Sequence, residues 1–222
     1  MLNTVIFDLD GTLLDTLDDL SNSVNYALYQ HGLPQRTQAE VRRFLGNGIQ
    51  SLMRQAVGQD TLSEADFDTV FRTFRAHYVE HCLDRTQPFP GIISMLQQLQ
   101  DHGIKMAIVS NKLHEAVQEL NRRFFSDYID IAVGESATVR RKPNPDAVHC
   151  ALEQLGSRRE EALYVGDSEV DWQTARNAGL RVALVEWGFR DADFLHTFSP
   201  VSFFARTADE LTQWTIEHND FS

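Results

Sequence analysis

Five short apolar runs recur along the chain, and most stop abruptly in polar or acidic residues. They are Val5-Ile6-Phe7 before Asp8, Met106 to Val109 before Ser110, Ile129 to Val133, Leu163 to Val165 before Gly166-Asp167, and Val182 to Val185 before Glu186. Runs this short and this continuous suit strands buried on both faces. Between them, apolar residues return at three- and four-residue spacing, as in Ile93, Leu96 and Leu99, or Ala147, Ala151, Leu152 and Leu155. That is the period of a helix lying on a sheet. The alternation predicts an α/β fold, a parallel sheet covered on both faces, with ligands bound beyond the carboxyl ends of the strands.

One stretch breaks the pattern. From Asp15 to Arg85 only helical spacing is found, in Leu17, Leu20, Val24, Ala27 and Leu28 and again in Phe67, Val70, Phe71, Phe74 and Tyr78. The expectation is a discontinuous core of residues 1–14 and 86–222 carrying a helical insertion of residues 15–85. Pro88-Phe89-Pro90-Gly91 reads as the return hinge and the start of the next helix. Toward the end, Phe203-Phe204-Ala205 suits an edge strand and Ala208 to Trp214 a closing helix.

The net charge of -12 opposes binding to nucleic acid, which needs a cationic face. A small anionic ligand would then depend on a few local cations, and the chain has only three lysines, Lys105, Lys112 and Lys142. Cys82 and Cys150 show neither metal-site nor disulfide spacing. No basic-then-apolar leader is seen, and no run nears the roughly 20 apolar residues of a membrane span, so a cytoplasmic protein is expected.

The polar residues at the strand ends are unusual. Asp8 and Asp10 could serve as a nucleophile and an adjacent acid/base, or Asp8-Leu9-Asp10-Gly11 could simply end a strand in a turn. Asp167 and Asp171 could supply hard oxygen ligands to a cation such as Mg²⁺, or could be a loop residue and an early helix residue facing the macrodipole. Ser110-Asn111 could cap the following helix and, in doing so, bind an anion. Lys142, in Arg140-Arg141-Lys142-Pro143-Asn144-Pro145, could neutralise a transferring phosphoryl group or belong to a solvated basic loop.

Taken in order, Asp8-Leu9-Asp10-Gly11-Thr12-Leu13, Ser110-Asn111 after an apolar strand, Lys142-Pro143-Asn144-Pro145, and Val165-Gly166-Asp167-Ser168 with Asp171 resemble the four motifs of the haloacid dehalogenase superfamily. The resemblance spans essentially the whole chain. It implies a Rossmann-like core with an all-helical cap and a phosphate-removing reaction through an aspartyl-phosphate. It casts Asp8 as nucleophile and Asp10 as acid/base, with Mg²⁺ bound by Asp8, Asp167 and the Asp10 backbone carbonyl. Ser110 and Lys142 would hold the phosphoryl oxygens, helped by backbone N–H groups near Gly11, Thr12 and Asn111. Asp171 would orient Lys142 or meet the metal, directly or through water.

Within that family, Asp10 separates the chain from dehalogenases, which need no acid there, and the lack of any lysine from 15 to 85 separates it from phosphonate hydrolases. The histidine and Leu-Lys-Gly marks of β-phosphoglucomutases are replaced by Leu20 and Leu45-Gly46. That isomerase reading stays as the alternative, with a non-catalytic phosphate-binding module behind it. Gly46-Asn47-Gly48, with Arg54 after it, and Val185-Glu186-Trp187-Gly188-Phe189 are similar to phosphoglycolate phosphatases. The expected substrate is a small phosphorylated metabolite, 2-phosphoglycolate first; Gly46-Asn47-Gly48 could close over it or be an interhelical turn, and Arg54, Arg42 and Arg43 could meet its carboxylate or be solvated helix residues. The expected state is monomer or homodimer.

Overall fold

A computed structural model describes residues 2–58 and 61–219. The first strand, β1 (Thr4–Phe7), leads through β2 (Leu14–Asp15) into four helices, α1 (Leu17–Gln30), α2 (Gln38–Phe44), α3 (Gly48–Val57) and α4 (Glu64–His81). After β3 (Gln87–Pro88) the chain alternates: α5 (Ile92–Asp101), β4 (Lys105–Leu113), α6 (His114–Phe124), β5 (Ile131–Glu135), α7 (Asp146–Leu155), β6 (Ala162–Gly166), α8 (Glu169–Ala178) and β7 (Arg181–Val185). It closes with α9 (Ala192–Leu195), β8 (Phe203–Ala205) and α10 (Ala208–Glu217). Residues 1–14 and 88–222 group into one compact unit and residues 15–87 into another.

The first unit is the expected α/β fold. Six parallel strands lie in the order β5-β4-β1-β6-β7-β8. Side chains alternate across each strand, so one apolar run serves two layers. Val5 and Phe7 of β1 pack with Met95 and Leu96 of α5, Val117 of α6 and Leu211 of α10, while Ile6 packs with Val148 and Ala151 of α7 and Ala175 of α8. Phe7 is fully buried, and sequestering a side chain of that size is worth about 2–3 kcal/mol.

Three expectations shift. Helix α5 buries Ile92, Met95, Leu96 and Leu99, so the apolar stripe runs through Ile92 and Met95 and leaves Ile93 40% exposed. Strand β5 begins at Ile131 rather than Ile129, since the Ile129 N–H is bonded to the Phe125 carbonyl and its carbonyl accepts from Asn121. Strand β4 continues past Val109 through Ser110 and Asn111, so neither residue caps α6; Leu113 stands at that N-cap.

In the second unit, Leu20, Val24, Ala27 and Leu28 of α1 and Phe67, Val70, Phe74 and Tyr78 of α4 are buried, and these two helices pack together. Asp19 is also buried, its carboxylate accepting from the Arg85 and Thr86 N–H groups and the Thr86 hydroxyl. A buried carboxylate needs such partners, and here they tie the unit's beginning to its end. Among the described residues, no helix is long and apolar enough to cross a membrane.

Candidate active site

Strand order decides which side chains meet. With β1 flanked by β4 and β6, the residues after Phe7 lie between the end of β4 and the Gly166-Asp167 turn. The end of β4 is irregular. Val109 pairs with Val133 and Leu113 with Glu135, so Ser110-Asn111-Lys112 form a bulge that takes up extra chain. A bulge redirects side chains that a regular strand would send to alternate faces. It also brings backbone close to Gly134, where a Cβ would stand 2.6 Å from the Lys112 carbonyl oxygen.

Lys142 is the hub. Its Nζ lies 2.7 Å from Asp8 Oδ1, 2.8 Å from Asp171 Oδ1 and 3.1 Å from the Tyr164 hydroxyl. All four residues are buried. The Asn111 amide clamps the Lys142 backbone in both directions, accepting from its N–H at 2.6 Å and donating to its carbonyl at 3.2 Å. Burial works against the Lys142 ammonium, but Asp171 and Asp8 hold its pKa well above the ordinary lysine value. Burial, with Asp171 next, pushes the Asp8 carboxyl well above the usual carboxylate range despite Lys142.

Just after β6, Asp167 accepts from the Phe189 N–H at 2.6 Å. Gly11, at φ 88°, lies so close that a Cβ there would come within 2.4 Å of Asp167 Oδ2, so only glycine fits this turn. The Trp187 indole donates to the Thr12 carbonyl at 3.0 Å, fastening the turn to the segment after β7. Burial first, and Asp171 second, raise the Asp167 pKa to about 7. Asp10 pairs with Lys112, whose Nζ is 3.1 Å from Asp10 Oδ1.

A buried group of acids around one ammonium therefore stands at the carboxyl edge of the parallel sheet. The sequence model of the haloacid dehalogenase-like hydrolases matches residues 5–185. The chain belongs to this family. It is 34% identical over 189 residues to a phosphoglycolate phosphatase of Aquifex aeolicus, covering 85% of this chain and 86% of that one. A phosphoglycolate phosphatase of Rhodobacter capsulatus is 35% identical over 194 residues, covering 86% and 87%. A solved structure from Lactobacillus delbrueckii subsp. bulgaricus, described as a candidate phosphoglycolate phosphatase, superposes with a TM-score of 0.91 at 34% identity and 96% and 98% coverage.

Haloacid dehalogenase-like hydrolases imply a divalent cation, and the donor set here fits one. Oxygens of Asp8, Asp167 and Asp171 lie within 4.8 Å of one another. Hard carboxylate oxygens suit Mg²⁺, and burial first, with the neighbouring Asp171 second, raises the pKa values of Asp8 and Asp167, a penalty on their charged forms that a bound cation would relieve. Asp171 differs from the other two. Its Oδ1 accepts from Lys142 and Tyr164, and its Oδ2 from Ser168 and the Asp167 N–H, which occupies the usual four lone-pair sites of a carboxylate. Asp171 is at the same time an early residue of α8, its N–H bonded to the capping Ser168, so the capping reading and the site reading hold together.

The structure thus brings Asp8, Ser110, Asn111, Lys142, Asp167 and Asp171 to one sheet edge, with Asp10, Gly11 and Thr12 in the turn after Asp8. Ser110 is buried and its hydroxyl accepts from the Lys112 N–H. The Thr12 hydroxyl is buried without a hydrogen-bond partner among the described residues. In the second unit, Gly46 and Asn47 connect α2 to α3, Gly48 begins α3, and the Arg54 guanidinium is paired with Glu64 at 2.7 Å and stacked 4.1 Å above the Phe67 ring. Sequence reasoning did not single out Tyr164 or Lys112. The scarcity of lysine was a signal for Lys112; Tyr164 was hidden inside an apolar run.

Proposed function

We propose that this hydrolase is a Mg²⁺-dependent phosphomonoesterase acting on a small phosphorylated acid, 2-phosphoglycolate foremost, through an aspartyl-phosphate. The observation that carries this reading is the Lys142 ammonium held 2.7 Å from Asp8 Oδ1 inside a buried acidic cluster. A carboxylate paired with a fixed cation at a strand end is an oriented nucleophile.

The Asp8 oxygen attacks phosphorus and the P–O bond to the alcohol breaks, while Asp10 gives its proton to the departing oxygen. Asp10 then takes a proton from water, which attacks the same phosphorus, breaks the P–O bond to Asp8 and frees inorganic phosphate. The Ser110 hydroxyl holds a phosphoryl oxygen through both steps, and Lys142 holds another by turning to it the N–H that faces Asp8 Oδ1 before the oxygen of Asp8 bonds to phosphorus. Asp8, Asp167 and the Asp10 carbonyl are the ligands proposed for Mg²⁺, which when bound offsets the charge of the transferring group. Asp171, with its lone pairs occupied, orients Lys142.

The choice of 2-phosphoglycolate rests on the relatives' names and on Gly46-Asn47-Gly48 and Trp187. For Arg54 to meet the substrate carboxylate it would exchange Glu64 for the ligand. Phosphate release in Mg²⁺ across a panel of phosphorylated metabolites tests this reading, with the highest kcat/KM expected for 2-phosphoglycolate. Isomerisation of a hexose 1-phosphate without release of free phosphate would establish the mutase instead.

A second measurement addresses the metal. Folded Asp167 keeps its proton up to about pH 7, whereas its ordinary value is 3.8. Between those values the folded state binds more protons than the unfolded one, so Asp167 costs stability as pH rises through this window. In metal-free buffer, wild type should therefore lose stability relative to Asp167→Asn from about pH 4 to about pH 7. Mg²⁺ should restore wild type, more at pH 8 than at pH 5.5, because proton and cation compete for one carboxylate. Thermal melts with and without Mg²⁺ read this out. Equal Mg²⁺ stabilisation of both proteins at both pH values would exclude Asp167 as a ligand.

A further inference from the structure

We propose that Tyr164 is a positioning residue whose hydroxyl completes the bonding of the Lys142 ammonium and so fixes it on Asp8. The inference rests on the reading of Asp8 as nucleophile. A lysine ammonium has three N–H donors, and three acceptors surround this one: Asp8 Oδ1 at 2.7 Å, Asp171 Oδ1 at 2.8 Å and the Tyr164 oxygen at 3.1 Å. The Tyr164 hydroxyl in turn donates to Asp171 Oδ1 at 3.1 Å, closing a ring of lysine, phenol and carboxylate.

Tyr164 differs from the two acids in how it is held. It lies in β6, directly paired with Ile6 of β1, and its ring belongs to the apolar layer under α7 and α8. A buried aromatic ring has few rotamers open to it, so the phenol oxygen is placed by the sheet itself. A lysine head group at the end of a four-carbon stem is a mobile point charge unless its donors are all engaged. Tyr164 and Asp171 are fully buried and Lys142 is 3% exposed, so solvent has no access to replace the phenol. Burial also keeps that phenol protonated, raising its pKa well above the ordinary tyrosine value. Without the hydroxyl, one ammonium N–H would lack an acceptor, and the head group could settle toward Asp171 and away from Asp8.

The test compares wild type, Tyr164→Phe, Lys142→Met and the double variant in Mg²⁺ buffer. Orthovanadate, an analogue of the transferring phosphoryl group, is titrated calorimetrically into each, and kcat and KM are measured on the best panel substrate. Tyr164→Phe should lower kcat by about 10- to 100-fold, the range for losing a hydrogen bond to a charged group. It should weaken orthovanadate binding in parallel and leave the Mg²⁺ concentration for half-maximal activity unchanged. In the Lys142→Met background it should have no further effect on orthovanadate.

Wild-type kcat and orthovanadate affinity in Tyr164→Phe would overturn the proposal. So would an equal loss of affinity in both backgrounds, or a fall in kcat with unchanged orthovanadate affinity, which is the mark of a purely structural role. If Tyr164→Phe is only partly folded, the calorimetric stoichiometry falls while the affinity still reports the folded sites. If wild type releases no phosphate from any substrate, the functional reading fails, and the orthovanadate comparison still decides the role of Tyr164.

Discussion

Asp8→Asn is expected to abolish turnover, by on the order of 10⁴-fold or more, without unfolding the protein. The amide keeps the shape of the carboxylate but cannot form a labile acyl phosphate. The structural cost should be small or negative. Burial first, and Asp171 second, push the Asp8 pKa up against the pull of Lys142, so a neutral group at this position avoids both the desolvation and the repulsion. Lys142 keeps Asp171 and Tyr164 as acceptors. The melting temperature in metal-free buffer should therefore equal or exceed that of wild type. Phosphate release and a thermal melt on the same preparation check both halves, and activity above a few per cent of wild type would remove Asp8 from the role of nucleophile.

For Asp10→Asn the expected loss is about 100-fold or more, the usual contribution of general acid–base catalysis. Here the leaving group provides a sharper reading than the rate alone. An aryl phosphate departs as a stable phenolate and needs little help from an acid, so its first step should survive. Hydrolysis of the acyl phosphate still needs a base. Rapid mixing should then show a burst of about one phenolate per site followed by slow turnover, as expected when a covalent intermediate accumulates. An alkyl phosphate, which needs the proton, should show no burst. Steady turnover of both substrates at the wild-type rate would assign the proton to another group. Lys112 faces Asp10 at 3.1 Å and is kept in this experiment, so the ion pair's loss accompanies the change.

Much of this site was legible along the chain because its motifs stand at strand ends, and strand ends can be read from apolar runs. Asp8, Ser110 and Asp167 were found that way, and Lys142 by the scarcity of lysine and its place in a proline-flanked loop before a helix. Ser110-Asn111 was open to a capping reading because Ser and Asn do favour N-caps. The bulge in β4 instead keeps both residues in the strand and turns Asn111 inward, where its amide clamps the Lys142 backbone. For Asp171 the sequence left two roles open, orienting Lys142 or meeting the metal directly or through water. Its lone pairs are occupied by Lys142, Tyr164, Ser168 and the Asp167 N–H, which only their assembled positions reveal.

By itself the sequence determined the parallel α/β sheet, the helical insertion after the first motif and the set of carboxylates offered to one edge. Periodicity and short-range spacing are one-dimensional properties, and burial on two faces leaves a continuous apolar run that any reader of the chain can see. Tertiary structure alone decided how those groups are used. The lateral order β5-β4-β1-β6 sets residues far apart in the chain within hydrogen-bonding distance, as Lys142 is to Asp8 and Tyr164. Hydrogen bonds reach only about 3 Å, so which donor is left over and which carboxylate is already satisfied depends on neighbours that spacing does not encode. Tyr164 shows this most directly: one more apolar position in a buried strand, until its hydroxyl is placed against the ammonium that faces the nucleophile.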